Sequence, residues 1–270
     1  MTTGLERLAS MFARAKEEGR GALMPFVVGG HPKPGSLADI LHAIETAGAD
    51  AVEVGFPFSD PIADGPVVAA AMHEALQRGA TPSGVLDEIA EVRGNSGLCL
   101  IAMVSVSIVE RMGGPSAFVE RAAGSGFDGC IFPDIAVEEA EPYASACADA
   151  QIGCSLLVAP STSPERIAQI TKLTTGFVYL LARAGITGER SDAPDIEERV
   201  RVVRDVTSLP IAVGFGISAA EHVKAVVRDA DAAIVGSALV RRLSEHPGDA
   251  PAEAGRFVSM LRPGCGREPL

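Results

Sequence analysis

The sequence predicts an α/β protein folded as a (β/α)8 (TIM) barrel, one domain over residues 1–270 with an extra helix at the N-terminus. Three observations predict it. Eight short apolar runs rich in β-branched residues recur along the chain, segments with helical periodicity separate them, and no linker composition interrupts the series. The runs are Leu23–Val28, Ala51–Gly55, Cys99–Val104, Gly129–Pro133, Ser155–Ala159, Phe177–Leu181, Ile211–Gly214 and Ala232–Gly236. They are apolar nearly throughout, as parallel strands buried on both faces must be. An open doubly wound sheet uses the same units, and periodicity alone does not show closure.

The intervening helices carry start and stop signals. Ser36-Leu-Ala-Asp39 reads as a capping box ahead of Leu37, Ile40, Leu41 and Ile44 on one face, with Gly48 as the stop. Thr81-Pro82 supplies an N-cap and a first-turn proline, followed by inward Val85, Ile89 and Val92 and a terminating Gly94. Ser163-Pro164 and Ser218-x-x-Glu221 read as two further openings. A short turn before a strand recurs at Gly48-Ala-Asp50, Gly126-Phe-Asp128 and Asp229-Ala-Asp231. Leu5, Leu8 and Phe12 predict an amphipathic N-terminal helix covering one barrel end, and the tail from about Arg262 reads as frayed.

Charge and composition exclude several function classes. With Lys+Arg 23 against Asp+Glu 35, the net charge of −12 argues against a broad nucleic-acid or anionic-membrane surface. A phosphate would have to be held locally, by backbone N–H groups. The five cysteines (Cys99, Cys130, Cys147, Cys154 and Cys265) form no CxxC pair, so no disulfide framework is expected and a reducing compartment is. No run approaches 18 apolar residues and the N-terminus lacks a signal-peptide pattern, so a soluble, cytoplasmic protein is expected. None of the four lysines (Lys16, Lys33, Lys172, Lys224) lies in a strand, which argues against a Schiff-base aldolase. His31, His42, His73, His222 and His246 show no metal-ligand spacing, and no Gly-x-Gly-x-x-Gly follows an early strand, so neither metal nor cofactor is expected.

In such a barrel the chemistry lies at the C-terminal strand ends and in the loops beyond them. Few ionisable groups stand there. Strand 2 carries Glu53 between Val52 and Val54 and runs into the long loop Gly55–Pro66, which holds Asp60 and Asp64. Strand 4 ends in Pro133-Asp134, and strand 6 carries Tyr179. A carboxyl in a water-poor barrel mouth has a raised pKa and suits general acid catalysis near neutral pH. The alternative for Glu53 is a buried structural partner of a helix dipole or an arginine. Gly214-Phe215-Gly216-Ile-Ser218 and Gly236-Ser237 each end a strand and open a helix, a pattern that holds phosphate on helix N-termini. Tight turns alone would also use those glycines.

Val52-Glu-Val-Gly-Phe-Pro-Phe-Ser-Asp-Pro-Ile-Ala-Asp-Gly-Pro66 closely resembles the signature of the tryptophan synthase α-chain family. The resemblance extends through Pro25-Phe26-Val27, Pro133-Asp134, Tyr179-Leu-Leu-Ala-Arg-Ala-Gly-Ile-Thr-Gly188, Gly214–Ser218 and Gly236-Ser237. It implies a lyase that cleaves indole-3-glycerol phosphate to indole and glyceraldehyde 3-phosphate, and a β-chain partner in an α2β2 assembly. It further implies Glu53 as the acid–base residue and Asp64 as the carboxylate that holds the indole N–H. Phe26, Met103, Ile131, Leu157, Tyr179, Thr187 and Phe215 would line the substrate pocket. Gly188, Gly214, Gly216, Gly236 and Ser237 would bind phosphate. The same resemblance leaves room for a stand-alone indole-releasing lyase, or for a catalytically weak barrel kept as a β-chain partner.

Two places depart from the family pattern: Gly30-His31-Pro32 stands for Gly-Asp-Pro, and Ser105 and Ser107 stand for a tyrosine and an asparagine after strand 3. The second departure implies weaker pairing with a typical β chain, to be improved by Ser105→Tyr with Ser107→Asn.

Overall fold

The computed structural model describes residues 2–61, 64–182, 196–214 and 216–267. Its strands are β1 Ala22–Val28, β2 Ala51–Gly55, β3 Cys99–Met103, β4 Gly129–Ile131, β5 Gly153–Ser155, β6 Leu157–Val158, β7 Val178–Leu181, β8 Ile211–Gly214 and β9 Ala232–Val235. Every pairing among them is parallel, in the order β5-β4-β3-β2-β1-β9-β8-β7-β6. The two ends of that order are one stretch of chain, because only Leu156 separates β5 from β6. Its first half pairs with β4 and its second with β7, and the Leu156 carbonyl accepts the Tyr179 N–H at 3.1 Å. The sheet is therefore closed, and the open-sheet alternative falls. The fifth strand differs from expectation in starting at Gly153 and in changing partners midway.

Helices connect the strands: α1 Gly4–Glu17 precedes β1, and α2 Leu37–Thr46 joins β1 to β2. Then come α3 Pro66–Gln77, α4 Pro82–Arg93, α5 Val106–Arg111, α6 Pro115–Ser125, α7 Glu141–Asp149 and α8 Pro164–Leu173. The chain finishes through α9 Glu197–Arg204, α10 Ala220–Val227, α11 Ser237–Glu245 and α12 Ala250–Leu261. Among the described residues no helix is long and apolar enough to cross a membrane.

Side chains alternate along each strand, as the two-residue period requires. Leu23, Val27, Val52, Val54, Leu100 and Val213 face outward into the main core beneath the helices. Met24, Ala51, Ile101, Ile131, Tyr179 and Ala212 face inward and pack with Leu8, Met11 and Phe12 of α1. The interior narrows to a socket for Leu8: a Cβ built on Gly153 would lie 2.6 Å from the Leu8 Cδ1, and one on Gly129 3.2 Å from it. α1 thus plugs the N-terminal end of the barrel. A capping box starts it, with Thr3 Oγ1 accepting from the Glu6 N–H at 3.2 Å and the Glu6 carboxylate from the Thr3 N–H at 2.7 Å.

The recurring aspartate turns have a shared task at that same end. Asp50 accepts the Leu23 N–H at 3.0 Å, Asp128 the Leu100 N–H at 2.9 Å, and Asp231 the Ile211 N–H at 2.8 Å. Each carboxylate reaches across to the strand beside its own and satisfies a backbone donor that the ladder leaves over. Arginines hold all three: Arg20 bidentately on Asp50 at 2.8 Å, Arg93 with Arg7 on Asp128, and Arg204 on Asp231.

Thr81 and Ser163 cap their helices as expected, accepting from Gly84 N–H at 3.1 Å and Arg166 N–H at 3.3 Å. Ser36 does not. Its hydroxyl donates to the Lys33 carbonyl at 2.6 Å, and Glu88 of α4 takes the Gly35 and Leu37 N–H groups instead. α10 begins at Ala220, so Ser218 is not its cap either. The tail is not frayed from Arg262: a 3-10 turn over Arg262–Cys265 buries Gly264 and Cys265, and the Arg267 N–H donates to the Gly19 carbonyl at 3.0 Å. A glycine at 264 permits this docking, since a Cβ there would fall 2.2 Å from the Ala220 carbonyl oxygen.

If the plug is part of the folded core, Leu8→Ala lowers the unfolding free energy by about 2–5 kcal/mol. Urea denaturation checks it, and a loss below about 1 kcal/mol would show that α1 rests on the barrel without closing it.

Candidate active site

Glu53 sits midway along β2, in register with Phe26 on β1 and Ile101 on β3. Its neighbours Val52 and Val54 go to the outer core, so its own side chain points into the barrel. The residue is fully buried, and among the described residues neither carboxyl oxygen has a hydrogen-bond partner. Burial alone lifts its pKa well above the ordinary glutamate value. Among the described residues, no arginine or helix terminus bonds to it as a structural role would require.

The loop after β2 holds its two acids differently. Asp60 is exposed and accepts a hydrogen bond from Ser59 Oγ at 2.7 Å. Asp64 is half-buried, its N–H donates to the Pro61 carbonyl at 3.1 Å, and burial pushes its pKa up to about 6. Tyr179 on β7 is buried, and its hydroxyl is held above the ordinary phenol value by burial, then by the charges of Glu53 and Asp64. Tyr179 faces the barrel interior, as Glu53 does, and the loop that carries Asp64 leaves the C-terminal end of the strand that carries Glu53.

The walls of that space follow from the strand registers. Phe26 is buried on β1, and Met103 and Ile131 are partners across β3 and β4. Leu157 pairs with Tyr179 across β6 and β7. Gly214 at the end of β8 lies under the tyrosine: a Cβ there would come within 2.3 Å of the phenol oxygen. That glycine, expected to let phosphate approach or simply to permit a tight turn, makes room for Tyr179. Gly216 has φ +79°, which favours glycine. Gly236 precedes Ser237 at the start of α11, and a Cβ on it would rest 3.7 Å from Phe26. The helix therefore opens toward the same mouth, with its first-turn N–H groups foremost. Thr187, Gly188 and Phe215 lie outside the described residues.

Two sequence readings change here. Asp134, at the end of strand 4, is engaged at the start of α5: it accepts from Ser105 Oγ at 2.7 Å and from the Val106 N–H at 3.0 Å. Ser105 is the N-cap of that helix, accepting the Ser107 N–H at 3.2 Å, and is only 7% exposed. It is a cap locked to an acid, and a tyrosine there would forfeit the cap and overfill its site, so Ser105→Tyr is no simple restoration of a rim contact. Among the described residues, no three His, Cys, Asp or Glu side chains stand together as a metal site. Sequence reasoning missed His31, whose only signal was its departure from Gly-Asp-Pro. It is 1% exposed, and among the described residues its buried Nδ1 has no partner.

A desolvated acid beside a second carboxyl, at the C-terminal mouth of a closed parallel barrel with helix-opening glycine turns, defines an acid–base enzyme of the (β/α)8 class. The family profile described as tryptophan synthase alpha chain matches residues 12–262. The tryptophan synthase alpha chain of Synechococcus sp. (strain CC9902) is 42% identical over 258 residues, covering 94% of this chain and 96% of its own. That of Nitrosococcus oceani is 38% identical over 263 residues, covering 96% and 97%. A tryptophan synthase structure from Mycobacterium tuberculosis superposes with a TM-score of 0.88 at 32% identity, covering 96% of this chain and 98% of that one. The tryptophan synthase A-subunit of Pyrococcus furiosus gives 0.84 at 31%, covering 91% and 99%. The chain belongs to the tryptophan synthase alpha chain family.

Gly214→Ala should force the Tyr179 ring from its place and cost about 1–3 kcal/mol of stability. The sequence has no tryptophan and two tyrosines, so in a Tyr143→Phe background the emission reports Tyr179 alone. An unchanged spectrum and an unchanged melting temperature would mean that the ring does not lie against Gly214.

Proposed function

We propose that this chain cleaves indole-3-glycerol phosphate to indole and glyceraldehyde 3-phosphate by a retro-aldol reaction, working in the cytoplasm as the α chain of an α2β2 tryptophan synthase. The observation that carries the reading is Glu53: a carboxylic acid whose pKa burial raises, with no hydrogen-bond partner among the described residues, in the barrel interior that Tyr179 also faces. Cleaving the bond between indole C3 and the glycerol chain requires a proton on an aromatic carbon. Only a close, desolvated acid delivers one there. Glu53 protonates C3 and, as the carboxylate so formed, accepts the proton of the adjacent glycerol hydroxyl while the C–C bond breaks. The electron pair of that bond returns to the ring, and the aldehyde leaves.

Asp64 accepts the indole N–H and offsets the positive charge on the ring between those two steps. Phe26, Met103, Ile131, Leu157, Tyr179, Thr187 and Phe215 form the slot for the flat ring. Backbone N–H groups of Gly188, Gly214, Gly216, Gly236 and Ser237 hold the phosphate, which suits a protein whose net charge of −12 offers no basic field. The five cysteines are free and buried, which agrees with a reducing compartment. Indole release assayed with and without a β chain tests the partnership.

Glu53→Gln keeps shape but carries no transferable proton, and it should cut indole release by about 10²–10⁴-fold. Activity within about threefold of the parent would remove Glu53 from the mechanism. The pH profile of kcat has a definite sign. Asp64 must be ionised, so activity rises with pH through about 6. Glu53 must be protonated, so activity falls again at higher pH, where that raised acid finally ionises. In Asp64→Asn the acid limb near 6 should vanish from the residual activity. A limb that persists unchanged belongs to some other group.

A further inference from the structure

His31 is a buried titratable group that the chemistry above does not use. It stands on the loop after β1, its N–H donating to the Val28 carbonyl at 3.1 Å. Its ring reaches two helices that each carry part of the site. Nε2 lies 3.2 Å from Ser244 Oγ on α11 and 3.8 Å from the Glu74 carboxylate on α3. α11 opens at Gly236-Ser237, and α3 opens at Pro66, two residues after Asp64. The loop itself continues from the strand that carries Phe26.

The hydrogen bonds around this ring favour one tautomer. Ser244 has one hydroxyl hydrogen, and it goes to the Val240 carbonyl at 3.0 Å. The Ser244 oxygen can then only accept from His31, so Nε2 carries the hydrogen and Nδ1 is the bare nitrogen. That nitrogen is buried with no donor among the described residues, a cost that apolar packing would not incur. Burial pushes the ring pKa down; Glu74 opposes this, and Arg78, which pairs with Glu74 at 3.6 Å, adds to it. The neutral tautomer is therefore the resident form.

Around the ring the same three elements pack on one another. Phe26 and Val28 of β1, Val68, Ala71, Met72 and Ala75 of α3, and Val240 of α11 form a core cluster of their own. Apolar contacts leave such elements free to slide by fractions of an ångström, whereas a directional N–H···O bond fixes their register.

We propose that His31 is a positioning residue: its bond to Ser244 pins the β1 loop to α11, with α3 packed against both, and so sets Asp64 relative to the phosphate-holding turn. The proposal rests on the function given above for Asp64 and for Gly236-Ser237. Loss of the pin displaces Asp64 from the indole N–H while the phosphate turn keeps its own geometry. Turnover then suffers and phosphate binding does not.

The test uses the full chain with His31→Leu, His31→Gln and Ser244→Ala. The leucine fills the space without the donor, the glutamine keeps a terminal N–H, and the alanine removes only the acceptor. His31→Leu and Ser244→Ala should each lower kcat by about tenfold or more, the scale of a small misplacement at a reacting centre. Glycerol 3-phosphate affinity by calorimetry should stay within twofold. The double variant should be no worse than either single one, and His31→Gln should recover most of the loss. The acid limb of the kcat profile, which reports Asp64, should move below 6 as that carboxyl gains water. Unchanged kcat in Ser244→Ala, additive losses, or an equal fall in phosphate affinity would each overturn the proposal, and the alanine variant decides if the leucine variant does not fold. If instead Glu53→Gln still releases indole at the parent rate, the assigned reaction fails, and that outcome is distinct from the failure of the pin.

Discussion

A carboxyl group sealed inside a closed barrel without a partner is expensive to ionise, and much of this structure arranges the conditions under which Glu53 stays in that state. Water has to be kept out, so the interior is filled by Met24, Ala51, Ile101 and Ile131 and the lower opening is stoppered by Leu8. Cations have to be kept away, and the arginines of the lower rim are committed to Asp50, Asp128 and Asp231 at the far end of the strands. Burial holds the pKa of the acid that remains well above the ordinary glutamate value.

Charge is thus divided between the two ends of the same strands. At the N-terminal end, aspartates meet strand N–H groups and arginines, and they serve stability. Toward the C-terminal end, Glu53 has no hydrogen-bond partner among the described residues, and burial raises Asp64 to about 6. The arrangement matches the general division in barrels between a stabilising face and a reactive one. Space is divided in a comparable way. Gly153 yields room below for Leu8, and Gly214 yields room above for Tyr179.

Polar groups at the mouth also differ in how fully they are committed. Asp134 is spent on Ser105 and the start of α5, which removes it from the reacting set despite its place at a strand end. His222 is likewise engaged, its Nδ1 accepting the Ser218 N–H at 3.3 Å just beyond Gly216. His31 keeps one nitrogen without a partner among the described residues, between the helices that flank the site. An unsatisfied buried nitrogen is tolerated where its partner atom fixes a geometry that apolar packing does not specify.

The strand positions and the inward direction of Glu53 were legible in the sequence because they rest on local period and local composition. Val52 and Val54 on one side of β2 leave Glu53 only the other. Two readings failed where a distant group took over: Glu88 caps α2 in place of Ser36, and the tail docks because Gly264 meets α10. Closure, too, was decided in three dimensions, by one strand changing partners at Leu156. Sequence by itself determined which residues could take part, since side-chain chemistry and strand alternation are properties of the local chain. Only the tertiary structure decided which carboxyls are free. Pairing depends on residues far away in sequence, and it engages Asp134 while leaving Glu53 alone.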